Sequence, residues 1–193
     1  MVNKKDTQKD KTGTLVPVFL VCRRICLLIC CMAALIPDKT NAQNPSAYYV
    51  STKHPTGILY FIRPQTCFKN PKTNTDWILD VTYLNSKDSA TINFSYFDSE
   101  NINLETITIS YNNWQYQATL KRIFVEADKK QWHYRYTFNI PFSQLVLFYR
   151  TKAPVITIST NSSRTIPIHT VKKWEKNADV NNRIIQIIQK NKN

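Results

Sequence analysis

A chain of 193 residues with 26 basic and 13 acidic side chains carries a formal charge of +13 and has room for one domain, with or without an appendage. An aromatic content of 12% argues against an intrinsically disordered chain, and two glycines exclude collagen-like and glycine-rich repeats.

Residues 1–42 read as a leader. A polar stretch with Lys4, Lys5, Lys9 and Lys11 precedes Leu15–Cys22, the pair Arg23-Arg24, and an apolar run from Ile25 to Ile36. That run is shorter than the ~20 residues a spanning helix needs, and fits the apolar region of a secretory signal. Thr40-Asn41-Ala42 then predicts cleavage after Ala42. A membrane anchor over residues 15–36 is the alternative. A lipid-modified Cys30 or Cys31 lacks the small preceding residue, and Arg23-Arg24 alone is weak support for twin-arginine export. The leader takes seven basic and three acidic residues, which leaves 19 and 10 and a charge of +9. It also takes Cys22, Cys26, Cys30 and Cys31, so the mature chain keeps only Cys67 and no internal disulfide is expected. Cys67 reads as a buried apolar residue, with a reactive or intermolecular thiol as the alternative.

The remaining residues, 43–193, read as one β-rich domain. Residues 43–56 look like an extended lead-in, and GILYFIR from Gly57 predicts a buried strand closed by Pro64. Strands follow over 76–84, 90–97 and 104–111, each with apolar residues at alternate positions. Asn112-Asn113 suits a two-residue hairpin. The next strand, 114 to about 125, loses phase after Leu120, which predicts a bulge or bend. The alternation is clearest over 132–140, where Trp132, Tyr134, Tyr136, Phe138 and Ile140 face His133, Arg135, Thr137 and Asn139. Pro141 suits a first helical position, with a short helix over 142–150. Residues 155–160 and 165–169 predict a hairpin with Pro167 near an edge. The C-terminus, about 171–190, predicts an amphipathic helix with Val180, Ile184, Ile187 and Ile188 on one stripe and Asn177 or Asp179 as cap. That stripe is expected to pack on the sheet. The fold class is therefore mainly β: an antiparallel sandwich or open barrel with a short helix and a C-terminal helix.

No catalytic, cofactor or metal site emerges. His54, His133 and His169 are too far apart in sequence for local zinc spacing, and His133 is expected to be solvated. Asp76 and Asp80 share a strand face roughly 13 Å apart, too far for paired-carboxylate chemistry. Asp98 and Glu100 lack the pattern of a calcium loop, and one mature glycine precludes a glycine-rich phosphate loop. The sequons at Asn93 and Asn161 are common by chance. Trp77, Trp114, Trp132, Trp174, Tyr116, Tyr134 and Tyr136 form either a core or a sugar-stacking platform, and alternation favours the core. The opposite face, with Gln115, Gln117, Thr119, His133, Arg135, Thr137 and Asn139, is suited to hydrogen bonds with protein or glycan.

The lysines are scattered, with no block that marks nucleic-acid binding. Abundant Lys, Asn and Ile are consistent with A/T-rich coding, and the functional counterpart is attraction to an anionic surface. The sequence thus points to an exported, periplasmic, cell-surface or secreted, non-enzymatic binding or assembly module. Its expected partner is a protein or an anionic envelope glycan. A hydrolytic enzyme with a dispersed site and a membrane-anchored structural protein are the alternatives.

Overall fold

The computed structural model describes residues 44–192, so the leader expected over 1–42 lies outside the described residues. Ten strands form one antiparallel sheet in the order β6-β5-β9-β10-β2-β3-β4-β8-β7, with β1 paired to β2. In chain order these are β1 (Tyr49–His54), β2 (Gly57–Lys69), β3 (Asp76–Leu84), β4 (Ser89–Asp98), β5 (Leu104–Tyr111), β6 (Trp114–Thr119), β7 (Lys121–Asp128), β8 (Gln131–Pro141), β9 (Val155–Thr160) and β10 (Thr165–Thr170). Helix α1 (Phe142–Arg150) lies between β8 and β9, and α2 (Trp174–Lys190) follows β10.

The sheet curls into a nearly closed barrel. Strands β6 and β7 meet at Leu120 yet occupy opposite ends of the strand order. The phase break after Leu120 is therefore a corner between two strands, where a single bent strand was expected. The Tyr116 hydroxyl donates to the Asn139 carbonyl at 2.7 Å and ties β6 to β8 across the opening. A second weak seam lies between β10 and β2, which share only the pairs His169–Lys69 and Thr170–Phe68. These seams divide the sheet into a four-strand half, β6-β5-β9-β10, and a six-strand half holding the rest.

Other boundaries also moved. The expected lead-in contains a 3-10 turn at Pro45–Ala47 and then β1, an edge strand whose last five residues are exposed. Gly57 opens β2 at φ 155°, where a Cβ would stand 2.2 Å from Asn85 Oδ1, the atom that accepts the Ile58 amide. Strand β2 runs through Pro64 because register shifts at Ile62/Gln65 and Thr66/Phe68 absorb the proline. Pro167 is not on an edge strand. It pairs with Thr157 on one side, and the β2 pairing begins only at His169, so its missing donor costs no ladder bond there. Pro141 caps α1 from outside the helix, and α2 starts at Trp174 with no side-chain cap. Asn177 and Asp179 lie inside α2.

The helices fill the concave side. Ala178, Val180, Ile184, Ile185 and Ile188 of α2 are buried, each isoleucine stabilising by about 1.5–3 kcal/mol, while Ile187 is only half-buried. Phe68, Trp77, Phe148, Tyr149 and Trp174 form a continuous ring cluster with centroid separations of 4.8 to 6.2 Å. Asn181, off the predicted apolar stripe, is buried as well and exchanges two hydrogen bonds with Gln65, at 3.0 and 3.1 Å. No helix of the described residues is long and apolar enough to cross a membrane.

Candidate functional site

The tyrosines and tryptophans divide into two groups. Trp77, Trp174, Tyr134 and Tyr136 are fully buried, so they build core and offer no open ring face. Trp114, Tyr116 and Trp132 are half-buried against that core, and Trp132 thus departs from the full burial expected of it. The expected hydrogen-bonding face is split as well. Gln115, Gln117 and Thr119 stand exposed on the four-strand half, and Asn139 is exposed at the end of β8. Arg135 and Thr137 are half-buried in the other half. His133 is not solvated: its ring stacks on Phe97 at 4.4 Å, meets the Phe124 ring edge-on at 5.0 Å, and its Nδ1 lies 3.0 Å from Glu126.

The outer face of the six-strand half contains an ion pair at the sheet surface. Arg135 bonds Asp80, which is 1% exposed and also accepts from Asn93 at 2.9 Å, and Arg135 donates to Ser95 at 3.2 Å. A buried carboxylate survives only with this kind of satisfaction. The pair consumes its own charges and leaves little for a ligand. Cys67 is equally closed. Burial pushes its thiol up to about 11, despite the Asn177 amide beside it at 3.7 Å, so it is protonated and unreactive at neutral pH.

A groove of about 660 Å3 lies at the end of the six-strand half, between the β2–β3 and β7–β8 connections. Lys69, Asn74, Thr75 and Asp76 form one wall, Asp128, Lys129, Lys130 and Gln131 the other, and Phe97 of β4 contributes an apolar patch. The first wall is set by Asn70. Its side-chain oxygen accepts the Lys72 amide at 2.9 Å, its backbone bonds Thr75 and Asn74, and its side-chain nitrogen donates to the Tyr96 hydroxyl at 3.0 Å. Asn74 sits at φ 54°, a left-handed conformation that asparagine tolerates. The second wall is the tight β7–β8 turn, and there a lysine, Lys129, takes the left-handed position at φ 58°.

The two walls differ in charge pairing. Lys69 donates to Asn74 at 2.9 Å and lies 3.8 Å from Asp76. Lys129 and Lys130 have no ion-pair partner among the described residues. The groove can therefore attract an anion, accept hydrogen bonds through Asp76 and Asp128, and offer a ring edge or face. It is lined by no serine, cysteine or histidine. No group of three or more His, Cys, Asp or Glu among the described residues is placed to hold a metal.

The residues of this groove were visible in the sequence only as isolated lysines and turn formers. Lys69 and Lys129 are 60 positions apart, and only the strand order β2-β3-β4-β8-β7 brings their hairpins to one end of the sheet. Compared with protein-family models, curated proteins and solved structures, the chain matches none.

Proposed function

We propose that this chain is an exported, non-enzymatic binding module and that the groove between the β2–β3 and β7–β8 connections takes an anionic ligand. The observation that carries the reading is the unpaired Lys129 and Lys130 across from Lys69, around the apolar Phe97, in a groove large enough for a ligand. A chain with this excess of basic residues draws polyanions by long-range attraction, and a groove concentrates that attraction at one place. The polar pairs elsewhere favour binding over chemistry, because Asp80–Arg135 and Gln65–Asn181 are satisfied within the fold.

Binding of the purified protein to polygalacturonate and to polyphosphate, with neutral dextran as control, tests this reading. We expect salt-sensitive binding to at least one anionic polymer, weakened in the Lys129→Gln/Lys130→Gln variant. Equal retention on neutral dextran, or binding unchanged in the double variant, rejects the groove as the anion site. Cleavage of the polymer supports the hydrolytic alternative, with Asp76 and Asp128 as the acids that line the groove. An N-terminus at Gln43 in the native protein is the companion measurement for export.

A further inference from the structure

Resting on the reading of the groove as an anion site, we infer that its ligand is an acidic sugar chain, which carries carboxylates and free hydroxyls together, and not a phosphate polymer. The lysines alone do not distinguish the two. The acids do. Asp76 and Asp128 stand in the same groove as Lys69, Lys129 and Lys130, and an ionised carboxylate only accepts hydrogen bonds. A phosphate polymer brings acceptors and negative charge and almost no donors. It is repelled above all by Asp128, which has no ion-pair partner among the described residues, whereas Asp76 lies 3.8 Å from Lys69. A uronate unit brings a carboxylate for the lysines and hydroxyl donors for the aspartates. Its apolar C–H face can also pack on Phe97, a ring that lines the groove.

The shape agrees with a chain ligand. The groove is open to solvent between two hairpins, so a polymer can pass through it without its ends being enclosed. The β7–β8 wall adds a separate argument. A left-handed backbone position favours glycine or asparagine, and a lysine there carries a conformational cost that its charge at the groove rim accounts for.

The test measures affinity of the purified protein for oligogalacturonate, polyphosphate and maltooligosaccharide in three forms: native, Lys129→Asn and Asp128→Ala. Lys129→Asn keeps the turn geometry and removes the charge. We expect oligogalacturonate to bind best, and Lys129→Asn to weaken it by about two- to fivefold, as for the loss of an exposed ion pair. Asp128→Ala should weaken oligogalacturonate and strengthen polyphosphate. Those opposite signs are what a merely electrostatic groove does not produce. If polyphosphate binds as tightly as oligogalacturonate, or if Asp128→Ala strengthens both, the acidic-sugar inference fails and the anion groove stands. If neither anion binds in a Lys129-dependent way, both fail. If maltooligosaccharide binds as well as oligogalacturonate, charge is not the basis of recognition and both are overturned.

Discussion

The four-strand half of the sheet turns Ile107, Ile109, Ile156, Ile158, Ile166 and Ile168 inward, all at most 2% exposed. Outward it presents a grid of uncharged side chains in register: Thr119, Thr106 and Ser159 in one row, Gln117, Thr108 and Thr157 in the next. The six-strand half does the opposite on both faces. Tyr60, Trp77, Tyr83, Phe94, Tyr96, Tyr134 and Tyr136 point inward, and Asp80, Arg135, His133 and Glu126 lie on the outer side. Both halves use the same period of two and the same antiparallel pairing, so the contrast lies in what the side chains demand. Isoleucine and threonine suit a pleated surface and leave no inner polar atom to satisfy. Tyrosines bring hydroxyls into the core, where burial favours finding a partner, and those of Tyr96, Tyr134 and Tyr136 find one.

Those partners explain why the loops are held at the aromatic half. The Tyr134 hydroxyl accepts the Ile102 amide at 2.8 Å and donates to the Glu100 carbonyl at 2.9 Å. The Tyr136 hydroxyl accepts the Leu104 amide at 3.0 Å and donates to Asn103 at 3.2 Å. Tyr96 donates to Asp98 at 2.5 Å, and burial together with that carboxylate holds its phenol well above the usual tyrosine range. Arg164, from the β9–β10 turn, donates to Glu100 at 2.8 Å and lies 3.7 Å from Asp98. Residues 99–103, the link from β4 to β5, are thus fastened by tyrosines of one half and an arginine of the other. Asn70, which shapes one wall of the groove, joins the same network through Tyr96.

The sharpest way to break the comparison is to remove charge from one half and compare a neutral change in the other. Asp80→Ala leaves Arg135 without its carboxylate, and should cost about 3–5 kcal/mol in denaturant unfolding. Replacing both partners with apolar residues should recover most of that loss. Thr108→Ala, on the grid, should cost well under ~1 kcal/mol. If Asp80→Ala is as mild as Thr108→Ala, the ion pair is ornamental and the two outer faces are energetically alike.

A smaller effect tests the tyrosine fastenings. Tyr136→Phe keeps the ring and leaves the Leu104 amide and Asn103 without their partner, so it should cost about 1–3 kcal/mol. Hydrogen exchange at the Leu104 amide should speed up more than at amides of β9, because the hydroxyl holds this joint and not the isoleucine half. Uniform acceleration across both halves would show that the joint and the sheet open as one unit.

Which parts were legible in the sequence follows from the same contrast. Strand β8 could be read because its rings alternate with polar residues over its whole length, and the helix stripe of Val180, Ile184 and Ile188 because its spacing is helical. Strand β1 was not legible: one half-buried residue followed by five exposed ones leaves no apolar period to detect. The passage of β2 through Pro64 depends on bulges that β3 accommodates, and the corner at Leu120 depends on where β6 and β7 find partners. His133 looked solvated because the rings that cover it, Phe97 and Phe124, belong to β4 and β7. The groove was illegible for the same reason, since its charge is assembled from two turns.

The smallest expected effect runs in the stabilising direction and concerns one backbone position. Lys129 adopts φ 58° in the β7–β8 turn, and the comparable position in the β5–β6 turn is Asn112 at φ 50°. The two turns belong to opposite halves of the sheet and make the same demand on the backbone. One answers it with the residue that tolerates the left-handed region, the other with a lysine that does not. Lys129→Asn should therefore raise stability by ~1 kcal/mol, read as a higher denaturant midpoint with an unchanged slope. The reciprocal change, Asn112→Lys, should lower it by a similar amount. A gain in stability accompanied by weaker oligogalacturonate binding would mean that the turn has kept a costly residue for its charge. No gain in stability would mean that the lysine backbone is unstrained there, and that its presence at the groove rim needs no functional reason.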